Sequence, residues 1–287
     1  MQTSAQDLTA VTALGALALS TAFPAFEGLL AAPLAEPIAP AAIRRELEPV
    51  VREEDAEAKA RLRRVAQRER QRIALLELLP PDMGGADLET TAAELSMLAE
   101  LTIEAALAHA IAVMQERHGP VLKDDGEPGS LTVLGMGKLG GGELNAGSDV
   151  DLMCFYDTDD AAARSGDREL SAHQFWTRVV RLMTELLEEP TEHGFVWRVD
   201  HRLRPEGARG PLVNSLAAAE RYYETFGRLW ERSALIRAKP VAGDRELGER
   251  LLRALSPFVW ARRVDPSVAT AMYDLVRRAR EELSAVP

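Results

Sequence analysis

The sequence predicts an α+β fold, a small sheet domain set between helical flanking segments. Three observations predict it. Ala, Leu, Glu and Arg dominate a chain of 287 residues in which aromatics make up only 5%, a balance that favours helices. Between about residues 131 and 203 the texture changes to short apolar runs punctuated by glycine, which read as strands. On both sides apolar residues return at helical spacing. The expected divisions are a mostly helical region over 1–128, a sheet domain over 129–243 and the start of a C-terminal helical bundle over 244–287. That bundle reads as truncated, since the chain stops inside an expected helix at Pro287.

The elements follow in order. Residues 8–35 are apolar and Ala/Leu-rich, but the first basic residue is Arg44, and Pro24, Glu27 and Pro33 interrupt the run. A signal peptide wants a basic start and a spanning helix an unbroken apolar stretch. Short packed helices are the reading, with no membrane and a cytoplasmic location. One long helix is expected over 41–79, stopped by Pro80-Pro81 and Gly84-Gly85. Asp87 or Thr90 opens the next, with Leu95, Leu98, Leu101, Ile103, Ala106 and Leu107 on its apolar face, and Gly119-Pro120 ends it. Residues 123–130 form a polar loop. Strands are expected at 131–134, 150–156 and 195–203, with a helix over 171–189 closed by Pro190. From Ser215 onward the pattern is helical, with breaks near Gly243 and at Pro257 and Pro266.

A formal charge of −11 excludes a non-specific nucleic-acid binder, which needs a basic surface to displace counterions. The single cysteine, Cys154, forms no internal disulfide, so no oxidising compartment is required.

Gly135-Met-Gly137-Lys138-Leu-Gly140 fits G-x-G-x-x-G after a strand, the mark of a dinucleotide fold. That fold needs a crossover helix and a lone acid about 20 residues on. Here the next strand begins about ten residues after the motif, and its acids come as a pair at its start. A phosphate-binding P-loop also fails, because Lys138 lacks the required frame. The glycines can still cradle an anion on converging N–H groups. Gly135, Gly137, Lys138, Gly140 and Gly141, with the Ser148 hydroxyl, are the expected phosphate site.

Residues i and i+2 of a strand share a face, so Asp149 and Asp151 project together. Two ionised carboxylates this close repel unless protonated or bridged by a cation. Hard oxygen donors with few protein ligands suit Mg²⁺, and two ions are expected, with Mn²⁺ as a substitute. Asp200 is the expected third carboxylate; the competing reading makes it the partner of Arg198 or Arg202. Cations crowd the segment from Arg198 to Lys239. Some must balance acids, while Arg202 and Arg204 are expected on substrate phosphates, which suit guanidinium forks. Arg64, Arg68 and Arg72 read as a solvated face with Glu partners, and Trp230 as core. The five histidines show no metal spacing. His201 points away from Asp200's face and receives no role.

Taken together, Gly135-Met-Gly-Lys-Leu-Gly-Gly-Gly-Glu-Leu-Asn145, Ser148-Asp-Val-Asp-Leu152, Arg198-Val-Asp-His-Arg-Leu-Arg-Pro205, Trp230-Glu-Arg232 and Arg237-Ala-Lys-Pro-Val-Ala-Gly-Asp244 resemble the glutamine synthetase adenylyltransferase family. The resemblance runs from about residue 41 to the end. It implies a polymerase-β-like nucleotidyltransferase fold and Mg²⁺-dependent transfer of AMP to or from a tyrosine of glutamine synthetase, which regulates nitrogen assimilation. Family members carry two such halves: one removes AMP by phosphorolysis, releasing ADP, and the other attaches it from ATP. This chain has one site. Gly194-Phe-Val-Trp-Arg-Val-Asp200 and Pro257-Phe-Val-Trp-Ala-Arg-Arg-Val-Asp265 look more like the N-terminal, adenylyl-removing half. The partners implied are glutamine synthetase, nucleotide and phosphate, and in a longer chain a PII-type signalling protein. Attachment of AMP, another small nucleotidyltransferase, or a non-catalytic glutamine-synthetase-binding module are the competing readings.

Overall fold

The computed structural model describes residues 39–80 and 84–260 together with Thr270, Tyr273, Asp274 and Arg277, and three helices come first among these described residues. The helices expected within 8–35 and the break at Pro266 lie outside the described residues. Helix α1 spans Pro40–Leu47, α2 Asp55–Leu78 and α3 Leu88–His118. The single helix expected over 41–79 is therefore two, separated by a 3₁₀ turn at Glu48–Arg52. Pro49 has no N–H to continue the α-helical ladder. The buried His109 ring pins the break: Nδ1 lies 2.7 Å from the Val50 carbonyl, and Nε2 2.9 Å from Asp55 at the start of α2. Asp87 caps α3 by accepting from the Thr90 N–H at 2.8 Å, and Gly119, at φ 77°, ends it. By length and composition α3 would suffice to cross a membrane, but it is the central core helix here, packed on α2, on the sheet and on α5 (Ala172–Glu188).

The main sheet runs β6-β3-β2-β8, with β7 also on β3. Its strands are β2 Leu131–Gly135, β3 Val150–Tyr156, β6 Val199–Asp200, β7 Val213–Ser215 and β8 Lys239–Gly243. β2 and β3 are antiparallel, so no crossover helix joins them, and the dinucleotide fold is excluded. β6 and β7 are parallel to β3 and reached through α5. A smaller sheet, unforeseen in the sequence, joins β1 (Val121–Lys123), β4 (Ala161–Ser165) and β5 (Arg168–Ser171). The expected strand 195–203 shrinks to two residues. The Val196 and Trp197 N–H groups instead donate to the Leu187 carbonyl at the end of α5, at 2.8 and 3.1 Å. Helices α6 (Leu216–Thr225), α7 (Leu229–Leu235) and α8 (Arg245–Val259) follow; Pro257 sits inside the last turn of α8 rather than ending it.

Alternation along β3 divides the molecule. Val150, Leu152, Cys154 and Tyr156 join one core with α1, α2, α3 and α5, while Met153 and Phe155 join a second core under α6 and α8. The first core unites Ile43, Leu62 and Leu98 with Val133 and Phe175, so packing runs unbroken across the boundary expected at 128 and 129. Cys154 lies inside it, its thiol pushed up to about 12 by burial.

Candidate active site

The face of β3 that carries Met153 and Phe155 ends, towards the strand's start, in Asp151 and Asp149. β6 lies parallel beside it, with Val199 opposite Val150 and Asp200 opposite Asp151. Paired residues of adjacent strands point the same way, so Asp200 joins the same face. The structure thus brings the three predicted acids to one end of the sheet. Burial pushes the Asp151 carboxyl above the usual carboxylate range, and the Asp200 and Asp149 charges add to it.

Arginines hold the other two acids. Arg198 donates from Nε to Asp149, and from Nη2 to the Gly147 carbonyl at 2.7 Å. Arg202 reaches Asp200 through Nε at 2.8 Å and through its own backbone N–H at 2.7 Å. The hydrogen bond from Arg202 holds the Asp200 carboxyl below its ordinary value. Among the described residues no group of three His, Cys, Asp or Glu side chains is arranged to hold a metal ion. The chemistry of the donors, three hard carboxylates gathered at one end of the sheet, is of the kind a hard divalent cation takes, while Arg198 and Arg202 pair with Asp149 and Asp200 here.

The glycine turn is more specialised than its sequence suggests. Met136 N–H donates to the Asp151 carbonyl at 2.9 Å, tying the turn to β3. Gly137, at φ 52°, opens the short helix α4 (Gly137–Gly140), and a Cβ there would stand 3.1 Å from Asp151 Oδ2. Gly137, Lys138 and Leu139 form a first helical turn, whose N–H groups have no intrahelical acceptor. Gly140 serves close packing, since a Cβ would meet the Arg237 carbonyl oxygen at 1.8 Å. Gly135 likewise abuts Val241 and Leu139, and the Gly141 N–H is taken by the Gly137 carbonyl at 3.1 Å. Of the expected cradle, Gly137, Lys138 and Ser148 remain available. The Lys138 ammonium lies 2.9 Å from Asn145 Oδ1 and 3.4 Å from Ser148 Oγ.

Arg204 departs from expectation. Its guanidinium donates to the carbonyls of His201, Ala208, Gly210 and Pro211, so it braces the loop after β6 instead of facing phosphate. Arg237 pairs with Glu143 at 2.9 Å, Lys239 with Glu100 at 2.6 Å, and Arg232 lies over the Phe258 ring. Arg68 holds Glu46 and Glu69, while Arg72 pairs with Glu69 and Glu94 in the interior. Trp230 is half-buried.

Sequence reasoning missed two supporting residues. Glu188, at the end of α5, accepts the Val199 N–H at 2.8 Å. His201 sits between β3 and α5, with its pKa lowered mainly by burial. It also missed a cavity of about 140 Å³ beside Gly147 and Ser148, walled by Arg70, Ile73, Leu95 and Trp197. No residue pattern announces these, because each depends on distant segments meeting.

The comparisons with known proteins agree with the motifs. The sequence model of the glutamate–ammonia ligase adenylyltransferase family matches residues 22–254. The chain belongs to this family. The family match begins at residue 22, ahead of the resemblance expected from about residue 41, and closes within α8. Three relatives are each named bifunctional glutamine synthetase adenylyltransferase/adenylyl-removing enzyme. That of Thioalkalivibrio sulfidiphilus is 47% identical over 217 residues, 75% of this chain and 21% of the relative. That of Nitrosococcus oceani is 42% identical over 223 residues, 77% and 22%. That of Pseudomonas aeruginosa is 39% identical over 253 residues, 87% and 25%. The chain thus spans about a fifth to a quarter of the length of these family members.

Proposed function

We propose that this chain carries one nucleotidyl-transfer centre of a polymerase-β-like domain. In it, AMP is removed from the adenylylated tyrosine of glutamine synthetase by inorganic phosphate, giving ADP. The observation that carries the reading is the alignment of Asp151 with Asp200 across β3 and β6, with Asp149 two residues before Asp151. Antiparallel β2–β3, the intervening glycine turn and the parallel return through α5 support the domain assignment. The names of the relatives supply the substrate, and the adenylyl-removing sequence features around Asp200 favour removal over attachment. A PII-type signalling protein would act only in the context of a longer chain. A reduced, buried Cys154 fits the cytoplasm.

Asp149, Asp151 and Asp200 would hold two Mg²⁺ ions, or Mn²⁺ in their place. When bound, the ions neutralise charge on the phosphate oxygens and on the departing oxygen. Lys138, Ser148 and the N–H groups of the Gly137 turn bind the phosphate oxygens. Arg198 and Arg202, released from their carboxylates, bind the phosphate oxygens of the substrate. An oxygen of inorganic phosphate forms the new bond to the AMP phosphorus as the bond to the tyrosine oxygen breaks. The leaving phenolate, with a pKa of about 10, then takes a proton from solvent.

One assay tests the reading. Adenylylated glutamine synthetase is incubated with the chain, phosphate and Mg²⁺, and ADP is measured. ADP formation that disappears in Asp149→Ala and Asp151→Ala is expected. AMP incorporation from ATP without ADP formation would reverse the direction. Binding of glutamine synthetase without turnover in either direction would make the chain a docking module.

A further inference from the structure

The third acid lies on a strand too short to hold itself. β6 offers only Val199 and Asp200 to its parallel ladder with Val150 and Asp151. A two-residue parallel pairing is weak by itself. Beyond Asp200 the chain leaves the sheet, since the Arg202 N–H turns back to Asp200 Oδ1 at 2.7 Å. β7 resumes the pairing only at Cys154. Leu152 and Met153 thus fall in a gap between two partner strands, and both are buried. A buried carbonyl left without a donor costs about as much as a lost hydrogen bond.

The His201 ring fills that gap. Nδ1 lies 3.2 Å from the Leu152 carbonyl oxygen. A carbonyl only accepts, so Nδ1 is the nitrogen that donates. The other ring nitrogen lies 2.9 Å from Thr184 Oγ1 on α5. The imidazole therefore stands where the next ladder rung would be and ties it to the helix behind the sheet. Thr184 belongs to the helix that packs on the Val150 and Leu152 face of β3, so the ring lies on the side of the sheet opposite the Asp200 carboxylate, which shares the face of Asp151. Glu188 takes the Val199 N–H on the other edge of β6, away from β3.

We propose that His201 is a positioning residue of the transfer centre: its imidazole replaces the missing rung of the β3 ladder and so fixes Asp200 beside Asp151. This rests on the reading of the three acids as metal ligands.

The test measures Mn²⁺ affinity by electron paramagnetic resonance on the 287-residue chain, with thermal unfolding as a control for folding. His201→Leu and His201→Ala remove the ring donor. His201→Asn keeps an amide N–H near the Nδ1 position. The Leu and Ala variants should bind Mn²⁺ about tenfold more weakly, the lower end of the loss seen when outer-shell partners are removed. The Asn variant should recover most of that loss. Unchanged affinity in a folded Leu or Ala variant overturns the proposal, as does an Asn variant no better than Leu. Failure of both the Leu and Ala variants to fold would make His201 a residue of the core at large, and overturns it too. A wild-type chain that binds no Mn²⁺ defeats the metal-ligand reading itself, a distinct result.

Discussion

Asp151 stands beside Asp200 across the single parallel rung that follows Val150 and Val199. Burial, then the Asp200 and Asp149 charges, raise the Asp151 pKa. A carboxyl whose folded pKa is raised favours the fold while protonated, and that contribution is lost as pH climbs from its unfolded to its folded value. At neutral pH and without divalent metal, Asp151→Asn is therefore expected to be more stable than wild type, with the difference shrinking as pH falls towards 4. Mg²⁺ should stabilise the wild type and not the variant. Turnover should fall more than about 100-fold, beyond the loss typical of outer-shell changes. Chemical denaturation at several pH values, with and without Mg²⁺, checks the stability arm. A variant less stable at neutral pH would remove the repulsion argument.

Arg202 has the opposite effect on its neighbour. Its hydrogen bond depresses the Asp200 pKa, so this carboxylate favours the fold above its unfolded pKa, a contribution lost as pH falls through the depressed value. In Arg202→Gln, Asp200 should titrate at a higher pH, which NMR titration of labelled aspartate reads directly. The acid limb of the activity profile should move up with it. An unmoved Asp200 titration would show that the pair does not control the acid.

The glycine turn separates stability from binding. Gly140→Ala drives a methyl group onto the Arg237 and Gly135 carbonyl oxygens, at 1.8 and 2.5 Å. It should lose about 1–3 kcal/mol or more in urea unfolding, the range for forced overpacking. Gly137→Ala meets only Asp151 Oδ2, at 3.1 Å, with its backbone at φ 52°. It should cost about 1–2 kcal/mol from backbone strain but weaken metal and phosphate binding more than Gly140→Ala does. Equal effects of the two on both readouts would contradict the division of roles.

Much of this site was legible because period and punctuation are local. The strand over 150–156, the Asp87 cap of α3 and the helix closed by Pro190 all follow from neighbouring residues. Asp149 and Asp151 needed only the two-residue repeat of a strand. What stayed hidden depends on segments far apart. Ala161–Ser165 carries no β-branched residue, and its strand exists because Val121–Lys123 pairs with it. The alternating stretch 195–203 looked like a full strand, but its first N–H groups are claimed by the Leu187 carbonyl. Arg204 looked like a phosphate ligand because the carbonyls that occupy it come from a turn that sequence alone does not close.

Two arginines seven residues apart on α2 make contrasting predictions. Arg63 is fully buried but satisfied: Nε donates to the Gly194 carbonyl at 2.9 Å, Nη1 to Lys59 and Leu186, and Nη2 to Glu189. Those last two carbonyls close α5, so Arg63→Met should cost about 3 kcal/mol or more, the scale for leaving buried partners unmatched. Arg70 lies 4.2 Å over the Trp197 ring, with Nε and Nη2 buried and without a hydrogen-bond partner among the described residues. Burial lowers its pKa to about 10, the mark of a cation desolvated without compensation. Its stacking on the indole returns only about 0.5–2 kcal/mol. Arg70→Met keeps the length and the contact with Trp197 while removing the stranded donors. It should therefore gain roughly 1 kcal/mol, a rise in Tm of about 2–4 °C for a domain this size. Calorimetry on both variants decides the matter, and a fall in Tm for Arg70→Met comparable to that of Arg63→Met would mean that the unpartnered nitrogens are satisfied after all, by water held in the neighbouring cavity.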